Sequence, residues 1–241
     1  MSENISLIMY SHSSYSDVWK PFFSQAEKFL PKYKKILFTD SVPVDIPAEW
    51  DSVIYDNKMS YSERMAHCLS AIDTQLFFYH HEDMFLYDKP DLELLNKYEQ
   101  LVMNDNVDFI RLIRSVDNPM FNFKGHATLY PIPSHSRYYF TVQPTIAKTD
   151  RMIRVFQQTK INNIREFEVK VQNVCKKNNI KGLFHYDGEA KRGESHYDSN
   201  VYPYVATAIV KGKWNFKEYR SELSKILNDL KIDSQIRGKY D

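Results

Sequence analysis

Apolar residues in the first third of the chain fall into short dense runs separated by stretches with helical spacing. The runs are Ile5-Ser6-Leu7-Ile8-Met9-Tyr10, Lys35-Ile36-Leu37-Phe38-Thr39-Asp40, Ser52-Val53-Ile54-Tyr55-Asp56 and Thr74 to Tyr79. Short apolar runs bounded by polar residues predict buried strands. After the first run comes a polar loop, Ser11 to Ser16, with Ser16 suited to cap a helix. The helix then carries Val18, Trp19, Phe22, Phe23, Ala26, Phe29 and Leu30 on one face. Pro21 is expected in its first turn, where a missing N–H is tolerated. Ser60-Tyr61-Ser62-Glu63 has the spacing of a capping box, worth about 1 kcal/mol to the helix it opens. That helix places Tyr61, Met65, Cys68, Leu69 and Ile72 inward, with Arg64 at the edge of the buried face.

The pattern continues with a helix from Pro90-Asp91 (Leu94, Leu95, Tyr98, Leu101 and Val102 inward) and a strand from Asp108 to Ile113. Residues 115–137, rich in Pro, Asn, Ser and Gly, read as a long loop. Tyr138 to Ile146 reads as a strand, followed by a short helix from Thr149 and another over 164–177 with Phe167, Val171, Val174 and Cys175 inward. Gly182 to Asn200 reads as a second polar loop and Tyr204 to Val210 as a strand. After Lys211-Gly212-Lys213-Trp214 comes a helix burying Phe216, Tyr219, Leu223, Ile226, Leu227 and Leu230. Strands alternating with helices predict an α/β sheet with functional loops at the strand carboxyl ends.

Composition narrows the classes. The chain has 241 residues with 43% hydrophobic and 15% aromatic content, enough for a real core. Most of its 17 Tyr and 15 Phe are expected to fill that core. There is no internal repeat, low-complexity tract or clear linker. A net charge of +1 offers no electrostatic case for nucleic acid. Cys68 and Cys175 sit in helical patterns and read as reduced core residues of a cytoplasmic protein. Met1-Ser2-Glu3-Asn4 carries no basic leader. No apolar run approaches the roughly 18 residues of a membrane span, though peripheral membrane contact stays open. All six glycines follow Lys124, so the first half holds neither a P-loop nor a dinucleotide-binding glycine fingerprint. A phosphate bound there would need a metal and side chains.

The densest candidate chemistry is His80-His81-Glu82-Asp83, at the end of the apolar run Leu76-Phe77-Phe78-Tyr79. Buried acids need a metal, a cationic partner or a proton. Carboxylates suit Mg²⁺ or Mn²⁺ shared with a diphosphate, whereas imidazoles suit softer ions. The plainer alternative is a capped strand end whose acids pair with Lys or Arg. Asp83 is the stronger ligand candidate, with Glu82 pointing the opposite way. Arg64 could neutralise a phosphate or simply pair with a surface acid. Asp40 and Asp56 each follow a strand and could meet a base or ribose, or merely form turns. Glu168 lies beside the buried face of its helix, where desolvation would raise its pKa and suit it as general base for a sugar hydroxyl. The 182–200 loop, with His185, Tyr186, Asp187, Glu189, Lys191, Arg192, His196, Tyr197 and Asp198, suits a sugar acceptor or is simply a solvated loop.

The order of these pieces resembles the GT-A glycosyltransferases. The matching segments are Ser11 to Ser16, Asp40, Ser60-Tyr61-Ser62-Glu63-Arg64 and Phe78-Tyr79-His80-His81-Glu82-Asp83. Val142-Gln143-Pro144-Thr145-Ile146-Ala147-Lys148, Phe167-Glu168 and Ala208-Ile209-Val210-Lys211-Gly212-Lys213-Trp214 are similar to segments of small viral and bacterial lipopolysaccharide- or surface-glycan-type members. The resemblance implies a GT-A-like (Rossmann-like) central mixed sheet flanked by helices, as one domain over 1–241. Residues 1–114 would form the nucleotide-sugar half and 115–241 the acceptor half. It further implies transfer of a sugar from a UDP- or GDP-sugar to a glycan hydroxyl. Ser11, His12, Tyr15, Asp40, Asp56 and Arg64 would contact the donor, and Asp83 and Glu82 would hold Mn²⁺ or Mg²⁺. Glu168, with Asp187 in reserve, would serve as base if the reaction inverts, whereas a retaining reaction requires no separate base. The sequence departs from the family's usual Asp-x-Asp: His81-Glu82-Asp83 retains only the last acid. Two rival readings are a metallohydrolase built on His80, His81, Asp83, His185 and His196, and a non-catalytic glycan-binding protein on a decayed transferase fold.

Overall fold

The computed structural model describes residues 4–193 and 196–241. Its centre is an eight-stranded mixed sheet of β1 (Ile5–Tyr10), β2 (Lys34–Thr39), β3 (Trp50–Ile54), β4 (Leu76–His81), β5 (Phe109–Arg111), β6 (Leu129–Pro131), β7 (Thr145–Lys148) and β8 (Gly182–His185), in the order β3-β2-β1-β4-β7-β5-β8-β6. The first four strands are parallel; β7 runs antiparallel to both β4 and β5, and β6 antiparallel to β8. Every residue of β1 is buried. Its unbroken apolar run is what a central parallel strand covered on both faces requires. The helices are α1 (Ser16–Phe29), α2 (Tyr61–Ser70), α3 (Leu92–Asn104), α4 (Thr149–Thr159), α5 (Ile164–Lys177) and α6 (Phe216–Asp229). Most residues of their predicted inward faces are buried, including free Cys68 and Cys175, while Phe29, Ile72, Leu94, Val174 and Leu230 are half-buried at the edges. Among the described residues no helix is long and apolar enough to cross a membrane.

The capping box at α2 forms as its spacing predicts, with Ser60 Oγ accepting from Glu63 N and the Glu63 carboxylate accepting from Ser60 N. Other local expectations change. Tyr15, not Ser16, caps α1, because a 3₁₀ turn over Ser13–Tyr15 precedes the helix. Pro21 consequently lies inside α1 rather than in its first turn. The 115–137 segment is not all loop: Leu129–Pro131 pairs with β8 as the edge strand β6, a position that tolerates proline. The segment 182–200 opens with the sheet strand β8. Gly182 is required there, since a Cβ would lie 2.2 Å from Cζ of the Phe109 ring on the neighbouring strand.

The apolar stretch from Tyr138 to Ile146 yields a strand only from Thr145 onward. Pro144 cannot donate to a ladder, and Tyr139 instead donates its hydroxyl to Ile180 O at 2.7 Å. Beyond β8 lie the short pair β9 (Lys191–Arg192) and β10 (His196–Tyr197), then β11 (Ile209–Val210), β12 (Lys213–Asn215), the helical turn α7 (Ser234–Arg237) and β13 (Lys239–Tyr240). Tyr204, predicted in a strand, makes a single bridge to Leu86. Lys211 and Gly212 both have positive φ, 51° and 77°, as a two-residue hairpin turn between twisted strands demands.

Candidate functional site

Strand β4 ends two residues later than its apolar run suggests. It continues through His81, and register with β1 sets His80 beside Met9 and His81 beside Tyr10. Strand alternation then sends the two imidazoles to opposite faces. His80 enters the core among the rings of Phe22, Phe78 and Tyr202, where burial lowers its pKa to about 3. His81 faces the site edge against Tyr10, and Tyr79 hydroxyl meets its Nε2 at 2.6 Å. Tyr61 hydroxyl meets Tyr79 hydroxyl at 2.8 Å, so α2 anchors His81 through two phenols. Burial lowers the His81 pKa to about 4, and the ring is neutral near pH 7.

Glu82 and Asp83 follow in the turn after β4. Glu82 is buried, beside the Ser11 hydroxyl. The Asp83 carboxylate accepts from the Ile209 backbone N–H, while its main-chain carbonyl accepts from Ala208 N at 3.0 Å. Both carboxyls are held above the ordinary range. Desolvation is the first cause for each, and the Asp83 charge pushes Glu82 further. Arg237 exerts a distant attraction on Glu82, but among the described residues neither acid has a basic side chain in ion-pair contact.

The neighbouring strand ends are tied together by Asp40. Its carboxylate accepts from Ser13 N at 2.7 Å, Ser13 Oγ at 2.9 Å and Asn57 Nδ2 at 2.9 Å, with His12 Nε2 at 3.5 Å. Burial alone would raise its pKa; these donors outweigh it and hold the group at about 2. Ser11 is buried and receives Trp19 Nε1 on Oγ at 2.7 Å and Tyr55 hydroxyl on its carbonyl at 2.7 Å. Arg64 turns back onto its own loop, donating to Met59 O at 2.9 Å and Asn57 O at 2.6 Å over the Tyr55 ring. Asp56 is exposed and accepts from Lys58 N, an Asx turn. Tyr15 is 37% exposed with Arg237 over its ring. Arg237 also pairs with Asp17 and donates to Gly212 O at 3.1 Å, bringing the distal end of the chain onto the first loop.

Glu168 projects from α5 and accepts from Val142 N at 2.9 Å. Desolvation raises its pKa, against the pull of that N–H and of Arg111. It lines a cavity of about 710 Å³. Asp187 is exposed and does not line this cavity. Its loop is organised by buried Glu189, which accepts from His185 Nε2 at 2.8 Å, Asn200 N at 3.0 Å and Asp187 N at 2.5 Å. Burial opposes the Glu189 charge, yet these bonds hold its pKa at about 2.

The metallohydrolase set is not assembled. His80 is in the core, His185 lies between Tyr98 and Glu189, and His196 meets Thr207. Among the described residues no group of three or more His, Cys, Asp or Glu is arranged to hold a metal. Several structurally central residues carried no sequence signal. Ser13 and Asn57 meet Asp40 from distant segments, Arg237 reaches Asp17 across most of the chain, and the Tyr61–Tyr79–His81 chain joins a helix to a strand. Only the alternation Tyr79-His80-His81 could have assigned His80 to the core.

No protein-family model and no curated protein matches this chain. Among solved structures it is similar to Staphylococcus aureus TarS 1–349, with TM-score 0.50 and 10% identity over 97% of this chain and 68% of that one. It is also similar, at TM-score 0.46, to the bifunctional IspDF of Campylobacter jejuni (12% identity, 85% of this chain and 52% of that one). The same score is found for CMP:2-keto-3-deoxy-manno-octonic acid synthetase complexed with CTP (10% identity, 75% and 88%). The chain spans about half the length of the C. jejuni protein. At 10% identity the likeness to TarS is one of fold: the mixed sheet is GT-A-like.

Proposed function

We propose that the chain is a glycosyltransferase moving a sugar from a nucleoside diphosphate donor to a glycan hydroxyl. The observation that carries this is the pair Glu82 and Asp83 at the carboxyl end of β4, each holding its proton more tightly than an ordinary carboxyl because burial desolvates it, with no basic side chain in contact among the described residues. In open α/β sheets, ligands bind outside the carboxyl ends of the strands. Hard oxygen donors with no third ligand grouped beside them among the described residues suit Mg²⁺ or Mn²⁺, which commonly takes one or two carboxylates and completes its shell with phosphate and water. Such an ion would supply charge neutralisation to the departing diphosphate.

The chain's own residues do the rest. Asp40, through Ser13 and Asn57, holds the first two loops in one arrangement for the donor. Arg64 fixes the 55–60 loop from beneath. Glu168 keeps one oxygen on Val142 N–H. As its carboxylate, it accepts the proton of the acceptor hydroxyl while that oxygen bonds to the anomeric carbon. The bond from that carbon to the diphosphate breaks and the electron pair leaves with the diphosphate. Asp187, exposed on its loop, is the weaker candidate for this role.

The test is a panel of UDP- and GDP-sugars with Mn²⁺, read by ligand-observed NMR for binding and by product analysis for donor hydrolysis. Binding and slow hydrolysis of one donor are expected. Absence of both across the panel overturns the reading, and tight binding with no turnover on any glycan acceptor favours a non-catalytic binding protein.

A further inference from the structure

The cavity beside Glu168 carries a charge pattern that sugar transfer alone does not require. Its walls include Arg114, Arg137, Arg165 and His196, with Glu168 the one carboxylate among the described lining residues. Arg114 is held by neutral partners: Nε donates to Asp117 O at 3.0 Å and NH2 to Asn118 Oδ1 at 2.6 Å, with the guanidinium against the Tyr186 and Tyr197 rings at 4.8 and 4.4 Å. Its position is therefore set while its charge is not cancelled. Arg137 rests over the Tyr138 ring at 5.6 Å, and Arg165 is exposed at the start of α5.

The contrast with the other arginines is sharp. Arg111, Arg151, Arg154, Arg192, Arg220 and Arg237 each pair with a carboxylate, and Arg64, outside the cavity, donates to the backbone carbonyls of Met59 and Asn57. Among the described residues none of the three cavity arginines does. Arginines that line one polar cavity without acidic partners among the described residues suit an oxyanion, which a planar guanidinium recognises through charge-assisted hydrogen bonds. A volume of about 710 Å³ lies within the usual range for small-molecule sites. The cavity belongs to the β5, β7 and α5 side of the sheet, whereas Asp40, Glu82 and Asp83 gather at the ends of β2 and β4.

We propose that this cavity binds the anionic group, phosphate or carboxylate, of an acidic glycan that serves as acceptor. The word acceptor rests on the transferase reading; the anion site itself does not. The probes are glucose 6-phosphate, glucuronate and neutral glucose, titrated by saturation-transfer NMR without any nucleotide sugar. At least one charged probe is expected to bind about tenfold or more tightly than glucose and to weaken as salt is raised. The better of the two identifies phosphate or carboxylate as the anion. The double variant Arg137→Gln, Arg165→Gln, whose side chains are exposed at the cavity, should lose about tenfold of that binding while its melting curve and its UDP affinity stay as in the parent. Equal binding of all three probes, or undiminished binding in the double variant, overturns the anion site. Competitive displacement of glucose 6-phosphate by UDP overturns the acceptor assignment, because the cavity would then be the donor's. Charged-probe binding in a protein that binds no donor leaves the anion site standing and removes the transferase reading instead.

Discussion

The two ends of the candidate site solve opposite electrostatic problems. At the tip of β4, Glu82 and Asp83 are desolvated with no basic side chain in ion-pair contact among the described residues, so both hold their protons more tightly than ordinary carboxyls. Across the sheet, Arg114, Arg137 and Arg165 line a cavity with one carboxylate among its described lining residues. Each region is out of balance by itself, and a substrate carrying the complementary charge would balance it. Elsewhere the protein shows that it can neutralise such groups internally. Glu189 has three hydrogen-bond donors, and Arg192 has both Asp198 and Glu222. The comparison teaches that lack of a partner, more than residue type, is what singles out these two regions as candidate ligand sites.

The strongest way to break the comparison is Asp83→Ala. Transfer should fall about a hundred- to thousandfold, while the melting temperature holds or rises, because a desolvated carboxyl has been removed. A drop in stability with activity retained would make Asp83 structural. Next is Glu168→Gln, which can still accept the Val142 N–H. Activity should fall about a hundredfold or more. The wild-type rate should climb with pH through the raised Glu168 pKa, since the base must be ionised, and that acid limb should vanish in the variant.

Asp40 offers a control in which the charge is already satisfied. Asp40→Ala leaves the Ser13 N–H, the Ser13 hydroxyl and the Asn57 amide without their acceptor and should cost about 1–3 kcal/mol in denaturant titration. Its folded pKa lies below the unfolded value. The stabilisation it gives is therefore full above the ordinary aspartate range and is lost as pH falls towards 2, so the variant's acid unfolding should be flatter there. The smallest effect expected is thermal. Glu82 and Asp83 have folded pKa values above their unfolded ones, so below the ordinary carboxylate range they cost nothing, and the cost grows as pH rises through their raised values. Mn²⁺ should therefore raise the melting temperature by a few degrees at pH 8, about the shift expected for 1 kcal/mol or so, and by less at pH 5. A shift independent of pH would place the ion elsewhere.

Much of the first half was legible because its signals are local. The capping box at Ser60–Glu63 and the apolar faces of α1 and α2 depend on spacing within a few residues, and they form as read. The second half was harder. Tyr138 to Pro144 is as apolar as a strand, but its residues pack as turns whose polar groups find Ile180 and Glu168 in other segments. Leu129–Pro131 is a strand only because β8 offers it an edge.

The sequence by itself determined the β/α alternation, the buried runs of β1 and β4, and the coincidence of acids with the end of a buried strand. Hydrophobic period and capping chemistry act over distances the chain spans locally, so these could be read directly. Only the tertiary structure decided which groups are satisfied. It sent His80 into the core, saturated Asp40 with donors from two loops, turned Arg64 onto its own backbone and left three arginines facing a cavity. Whether a polar group has a partner depends on residues far apart in sequence, and no local pattern records that.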